Sequence, residues 1–285
     1  MSPNLRRWLW KRNKLNADEA ALAAELREAL KRQQFVLHYQ PVLEVSTLAI
    51  HHFEALVRWQ HPELGLVPSQ QFVRLAERSE LIVPIGEWAL RTACATAHTW
   101  SDDHLPKHPI AVNLSRPQLQ HPKLVSRVAA ILAETAFDPA YLILEIAERD
   151  TKADLADTAA VLQQLRGLGV SITLDDFTDA PTAADLLRRL GVQAVKIDIP
   201  YALSGQTTRA AAASAVDLAH ALDLHVTGKR VEDYEQLQLF RTLDCDYMQG
   251  YAFGMPLSAV KARSLLTEAA HGRGSPQRQN RRRSA

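Results

Sequence analysis

Cysteine is scarce: Cys94 and Cys245 are the only two in 285 residues, too few for a disulfide framework or a cysteine-based zinc site. Neither has a cysteine neighbour at metal-ligand spacing, so both read as buried structural thiols. Long apolar runs are missing too; nothing approaches the roughly 20 residues that cross a bilayer. The N-terminus has bases but no apolar stretch ending in a small-residue cleavage site, so no secretory signal is read there and the expected location is cytoplasmic. Net charge is nearly absent, at +1, but that balance hides an uneven distribution. Residues 1–14 hold Arg6, Arg7, Lys11, Arg12 and Lys14 with no acid, and residues 271–285 hold Arg273, Arg278, Arg281, Arg282 and Arg283 with no acid. Ten of the 33 bases thus sit in the ends, leaving residues 15–270 with 23 bases against 32 acids. An acidic body with two basic ends is not the footprint of a domain whose main surface binds nucleic acid.

What is present is an ordinary globular composition, 47% apolar and 23% charged, and a rhythm. Residues 15–34 place apolar side chains at helical spacing, with Asp18 and Glu19 early and Lys31 and Arg32 late, an order that suits the helix dipole. Short strand-like runs follow: 35–43, 52–59, 110–115, 142–147, 170–177, 194–198, 224–228 and 247–253. Between them, apolar residues recur every three or four positions over about 70–100, 122–135, 154–168, 182–190, 208–222, 232–243 and 258–270, as amphipathic helices require. The interior strands are β-branched and almost continuously apolar, the mark of strands covered on both faces. Eight strands alternating with helices predict a TIM-like α/β fold, a (β/α)8 barrel, with a doubly wound open sheet as the alternative.

Nearly every strand carries a polar side chain near its C-terminal end. Gln40, Glu54 with Arg58, Asn113, Glu145 with Glu148, Asp175 with Asp176, Lys196 with Asp198, and Gln249 all fall this way. In a barrel those ends converge on the face that holds active sites. Carboxylates plus one carboxamide are hard oxygen ligands suited to Mg²⁺ or Mn²⁺. A nearby lysine can orient a water, and an arginine can take a phosphate.

In order and spacing, HYQPVL (38–43), FEALVRWQHPELGLVP (53–68), LIVPIGEWALRTAC (81–94), VNLS (112–115), LEIAE (144–148), LDDF (174–177), KID (196–198) and QGYAFGMPL (249–257) resemble the EAL-domain family, the phosphodiesterases that linearise cyclic di-GMP. The resemblance covers residues 26 to 267. It implies a barrel binding cyclic di-GMP across its C-terminal face and, in active members, two divalent cations, Mg²⁺ or Mn²⁺. Glu54, Asn113, Glu145 and Asp175 then correspond to ligands of the first metal, with Asp175 and Asp176 toward the second. Lys196 resembles the lysine that contacts the attacking water, and Glu148 the glutamate that supports the loop after the fifth strand. Gln40, Glu54, Leu56, Arg58, Asp176, Gln249 and Pro256 are implied to face the substrate.

Two departures accompany these matches. Active members end their seventh strand in A-E-G-V-E, whose first glutamate binds the second metal. Here the stretch is Gly228-Lys229-Arg230-Val231-Glu232, so Lys229 stands in the ligand position and only the supporting Glu232 survives. A protonated ammonium has no lone pair to give a cation. Where active members continue LDDF with G-T-G-Y-S-S, a loop that closes the site and supports dimer contacts, this chain has Thr178-Asp179-Ala180-Pro181-Thr182-Ala183. Losing both glycines removes the positive-φ conformations they allow, and Pro181 restricts Ala180. Ile199-Pro200-Tyr201 also replaces the usual R-S-F after KID.

The expectation is therefore a degenerate EAL domain acting as a cyclic di-GMP receptor, with no metal required and Lys229 available to the ligand phosphate. The alternatives are an active Mg²⁺- or Mn²⁺-dependent phosphodiesterase and a nucleotide-independent interaction module. No sensory domain fits beside the barrel in 285 residues, so a protein partner is expected to supply input, and a homodimer is open. The layout expected is a basic helical lead-in over 1–25, a barrel over 26–268 and a basic disordered tail over 269–285. Trp8 and Trp10 among five bases, and the arginine-rich tail, offer membrane or nucleic-acid contacts only through the ends. The adjacent His51 and His52 should point to opposite sheet faces, which argues against one shared metal. Because the ends lack core-forming periodicity, a chain trimmed to 15–270 should keep its melting temperature; a drop of many degrees on calorimetry would place Trp8 or Trp10 in the core.

Overall fold

A computed structural model describes residues 19–101, 105–178, 183–198 and 206–271. The expectations for Trp8 and Trp10, for the tail beyond His271, and for residues 179–182 and 199–201 lie outside the described residues. Helix α1 (Glu19–Lys31) leads into strands β1 (Phe35–Glu44), β2 (Ile50–His61) and β3 (Gly65–Pro68). Helices α2 (Val73–Arg78) and α3 (Ile82–Ser101) then reach β4 (Ile110–Leu114). After the short α4 (Arg116–Leu119) and α5 (Leu124–Thr135) come β5 (Leu142–Ala147), α6 (Glu148–Thr151) and α7 (Leu155–Gly167). The remaining elements are β6 (Ser171–Asp175), α8 (Ala183–Leu190), β7 (Ala194–Asp198), α9 (Gln206–His220), β8 (His225–Lys229), α10 (Tyr234–Thr242), β9 (Tyr247–Met248), β10 (Leu257–Ser258) and α11 (Ala259–Ala270).

The strands run β1-β9-β8-β7-β6-β5-β4-β2, and β1 also pairs with β2, so the sheet closes on itself. This is the expected eight-stranded TIM-like barrel, with one difference. Strand β1 is antiparallel to both β2 and β9, while the other neighbours are parallel. Gln40 therefore reaches the functional face from the middle of a strand running the other way, opposite Glu54, and not from a C-terminal end. Two further expectations are corrected. The stretch 247–253 is a strand only at Tyr247–Met248; beyond it the chain crosses Val231 so closely that a Cβ on Gly250 would lie 2.0 Å from the Val231 carbonyl oxygen. The predicted helix over 70–100 is broken after Arg78, where Glu80 takes a left-handed φ of 60° and the chain restarts as α3.

Leucine, isoleucine and valine from β1, β2 and β4 to β8, including Val112, Leu144, Ile172 and Val195, and Met248 from β9, pack with the inner faces of α3, α5, α7, α8 and α11 into one core. Cys94 and Cys245 are buried free thiols, and burial pushes both up to about 12. A second, smaller core gathers Leu26 and Ala29 of α1 with Phe35, Trp59, Val67, Phe72, Leu75 and Ile85. Among the described residues no helix is long and apolar enough to cross a membrane.

The histidine pair departs from expectation as well. Val42 faces His52 but Leu43 faces Ile50, so His51 is an extra residue in β2. Such a bulge suspends the in-out alternation. The two rings meet edge to face with Nδ1 atoms 2.8 Å apart, and His51 stacks on Tyr247. His108 reaches the His51 carbonyl at 3.3 Å. Burial holds His51 and His108 below the ordinary imidazole range; His225 and His108 push His51 further down, Glu44 opposes this, and the bond to the His51 carbonyl partly offsets the effect at His108. Both folded pKa values lie below the unfolded one, so the unfolded chain binds more protons on acidification, and stability should fall as pH drops below about 6.5. Urea titrations at pH 7.5 and 5.5 should show that loss, and His108→Gln should lessen it; an unchanged slope in the variant would remove His108 from the effect.

Candidate functional site

Parallel pairing sets the site in steps. Asn113 is level with Glu145, Ala147 with Asp175, and Asp198 with Lys229, while Gln40 faces Glu54. At the centre lies Lys196, 1% exposed. Its Nζ donates to Glu54 Oε2 at 2.9 Å and to both Glu145 oxygens at 2.9 and 2.8 Å. Glu54 also accepts Asn113 Nδ2 on Oε1 and Gln249 Nε2 on Oε2, each at 2.7 Å, and Gln249 Nε2 lies 3.5 Å from Gln40 Oε1. Burial raises the pKa of Glu54, but Lys196 with Gln249 and Asn113 overcomes it and holds the carboxyl at about 2. Glu145 goes the other way, pushed up by burial and by the Glu54 charge beside it. Lys196 remains an ammonium because the surrounding carboxylates outweigh its own burial.

A second cluster sits at the rim. Lys229 Nζ lies 2.5 Å from Asp175 Oδ1 and 2.6 Å from Asp176 Oδ1. Burial favours neutral Lys229, yet Asp175 and Asp176 prevail over burial and the repulsion of Lys196, and its pKa is raised. Asp176 is half-exposed at φ 54°, and its other oxygen accepts Arg149 Nη1 at 3.1 Å. Its carboxyl is held below the usual range because Lys229 and Arg149 outweigh its burial. Arg230, at φ 63°, donates to Asp198 at 3.1 Å. That left-handed conformation is the one for which the related A-E-G-V-E motif carries glycine. Gly228 lies against Phe240, where a Cβ would sit 2.1 Å from the ring.

The other expected residues divide. Buried Glu148 accepts the Thr178 backbone N–H at 2.9 Å and its hydroxyl at 3.1 Å, and pairs with Lys152, which ties it to the residue three positions past the end of β6. Arg58 is half-buried and donates to the Val57 carbonyl; among the described residues it forms no ion pair. Leu56 stands opposite His38 of β1, whose Nδ1 lies 3.2 Å from the Pro256 carbonyl. Glu232 is the exception. It is exposed before α10 with its backbone N–H on Gln236, and among the described residues its carboxylate makes no hydrogen bond to the cluster, because the chain leaves the core after the buried Val231. Sequence reasoning missed Arg149 and the Arg230–Asp198 pair: nothing in either residue's spacing marks it, since their partners lie 27 and 32 positions away.

Hard divalent cations suit the oxygens of Glu54, Asn113, Glu145 and Asp175 by donor chemistry. A second cation beside Asp175 and Asp176 does not fit, because the Lys229 ammonium already lies within hydrogen-bond distance of both and would repel it. As arranged, among the described residues no three histidine, cysteine or acidic side chains converge to hold an ion. The two lysines account for this by taking the carboxylate oxygens for themselves.

A closed barrel with acids and a buried lysine at its strand ends matches a known class. The EAL domain family matches residues 23–256, and the chain belongs to it. Among curated relatives, the bifunctional diguanylate cyclase/cyclic di-GMP phosphodiesterase MucR of Pseudomonas aeruginosa is 38% identical over 245 residues, covering 85% of this chain and 36% of MucR. The cyclic di-GMP phosphodiesterase NbdA of the same organism is 34% identical over 254 residues, covering 87% of this chain and 32% of NbdA. The chain thus spans about a third of the length of these relatives. A solved structure of the PaMucR phosphodiesterase in complex with c-di-GMP superposes with a TM-score of 0.81 at 36% identity, covering 85% of this chain and 99% of that one.

Proposed function

We propose that this EAL domain is a cyclic di-GMP receptor whose phosphodiesterase activity is lost or weak. The observation that carries the reading is Lys229, bonded to Asp175 and Asp176 where the resemblance requires a carboxylate for the second metal. A cyclic dinucleotide brings two negative phosphates into a site crowded with Glu54, Glu145, Asp175 and Asp176. Lys229 supplies at that rim the positive charge a cation would otherwise provide, and Arg58 and Arg149 add two guanidiniums. Attraction between unit charges about 4 Å apart is on the order of 4 kcal/mol at an effective dielectric near 20, before desolvation. Support for the ligand itself comes from the related MucR domain, described in complex with c-di-GMP. If a divalent cation binds Glu54, Asn113, Glu145 and Asp175, it supplies Lewis-acid polarisation; this chain's contribution is to orient those oxygens and keep a charged lysine beside them.

Calorimetry with cyclic di-GMP in EDTA tests the reading. Binding should survive chelation, and Lys229→Ala should weaken it roughly 30-fold or more, the scale of removing one member of a buried charge pair. No heat and no competition by ligand would favour a nucleotide-independent interaction module. An active phosphodiesterase is the second reading, favoured by the retention of all four first-cation oxygens and of Lys196.

A further inference from the structure

Strand β2 runs through both hydrophobic cores. Glu54 lies in the barrel and Trp59 in the smaller core, and Arg58 stands between them. Only Val57 and Trp88 pack against both cores among the described residues. Helix α1 belongs wholly to the smaller core, through Leu26 and Ala29, both at most 1% exposed. Three polar ties fasten the helix and its exit to β2. Trp59 Nε1 donates to Gln34 Oε1 at 3.1 Å, and the Gln60 N–H to the Gln34 carbonyl at 2.7 Å. His61 Nδ1 accepts the N–H groups of Glu63 and Leu64 at 3.1 and 3.2 Å, so its proton is on Nε2, which donates to Glu25 at 2.7 Å. Glu25 thereby fixes the turn from β2 into β3, three residues from Arg58. Arg58 itself takes its register opposite Val36 and Pro68 and donates to the Val57 carbonyl, and among the described residues no side chain forms an ion pair with it.

We infer that α1 positions Arg58 through β2, which makes Glu25 and Leu26 positioning residues for the arginine offered to the ligand phosphate. This rests on the receptor reading and deepens it: a partner or preceding segment that pulls on α1 would tune affinity without touching the site. The two-core construction is what permits this, since the smaller core can loosen while the barrel core stays packed.

The test compares Glu25→Gln, Leu26→Ser, Arg58→Ala and the two Arg58→Ala double variants, all in the full chain. Glu25→Gln keeps shape and so serves if Leu26→Ser fails to fold. Hydrogen exchange should rise at residues 57–60 in the α1 variants while β5 and β6 amides stay protected. Calorimetric affinity for cyclic di-GMP should fall about tenfold in each α1 variant and no further when Arg58 is already alanine, because coupled residues are not additive. Unchanged exchange at 57–60 in both single variants, or additive affinity losses, would overturn the inference. If the wild type binds no cyclic di-GMP, the receptor reading falls, and the exchange result still decides whether α1 holds β2.

Discussion

Purified protein incubated with cyclic di-GMP and Mg²⁺ or Mn²⁺ is expected to open the ring at least ~100-fold more slowly than an active EAL domain. That is the scale on which losing one preorganised electrostatic element shows. The expected cause is local: Lys229 bonds Asp175 and Asp176 at the rim, the two carboxylates that the family resemblance assigns to a second cation. Lys229→Glu alone should recover little, because the segment from Thr178 to Ala183 still lacks the glycines of active members. Chromatography of the linear product over a long incubation measures both rates. Rapid metal-dependent turnover by the wild type would refute the loss, and full recovery in Lys229→Glu would show that the segment after β6 matters less than the charge.

Removing the other lysine should damage the fold itself. In Lys196→Met, Glu54 and Glu145 would be left in the barrel without their shared cation, and breaking a buried pair from one side costs about 3–5 kcal/mol. Both carboxylates are buried, Glu145 at 1% exposed, so water cannot easily replace the ammonium. Neutralising the acids at the same time, in Lys196→Met with Glu54→Gln and Glu145→Gln, should return most of the loss. Urea unfolding of the two variants checks this; a cost below about 1 kcal/mol in the single variant would mean that the cluster relaxes or admits water.

The barrel was legible because its signals are local: β-branched runs bounded by helical periodicity identify each strand without knowledge of its neighbours. The direction of β1 was not, since HYQPVL reads the same whether the strand runs with or against β2. Its antiparallel course depends on the short connection from Glu44 to Ile50, which permits a hairpin but no crossover. Strand ends also announced the site, and Glu54, Asn113, Glu145, Lys196 and Gln249 do meet there. What spacing could not supply was the partner of each charge. Lys229 is separated from Asp175 by 54 positions and Arg149 from Asp176 by 27, and only barrel closure brings such pairs together. The His51 bulge escaped for a different reason, because alternation assumes a uniform pleat and an inserted residue leaves no compositional mark.

The contact between Gly228 and Phe240 limits which residues the end of β8 can carry. Restoring the strand-end sequence of active relatives means placing a methyl group at 228, a carboxylate at 229 and a glycine at 230. The first of these collides with an aromatic ring fixed in the main core, so it is closed until Phe240 shrinks or moves. Shrinking Phe240 to make room would open a void beneath β8, because the ring is buried in the main core. The chemistry at the end of β8 is therefore tied to a ring on α10: what can stand at 228 is decided by a residue outside the strand.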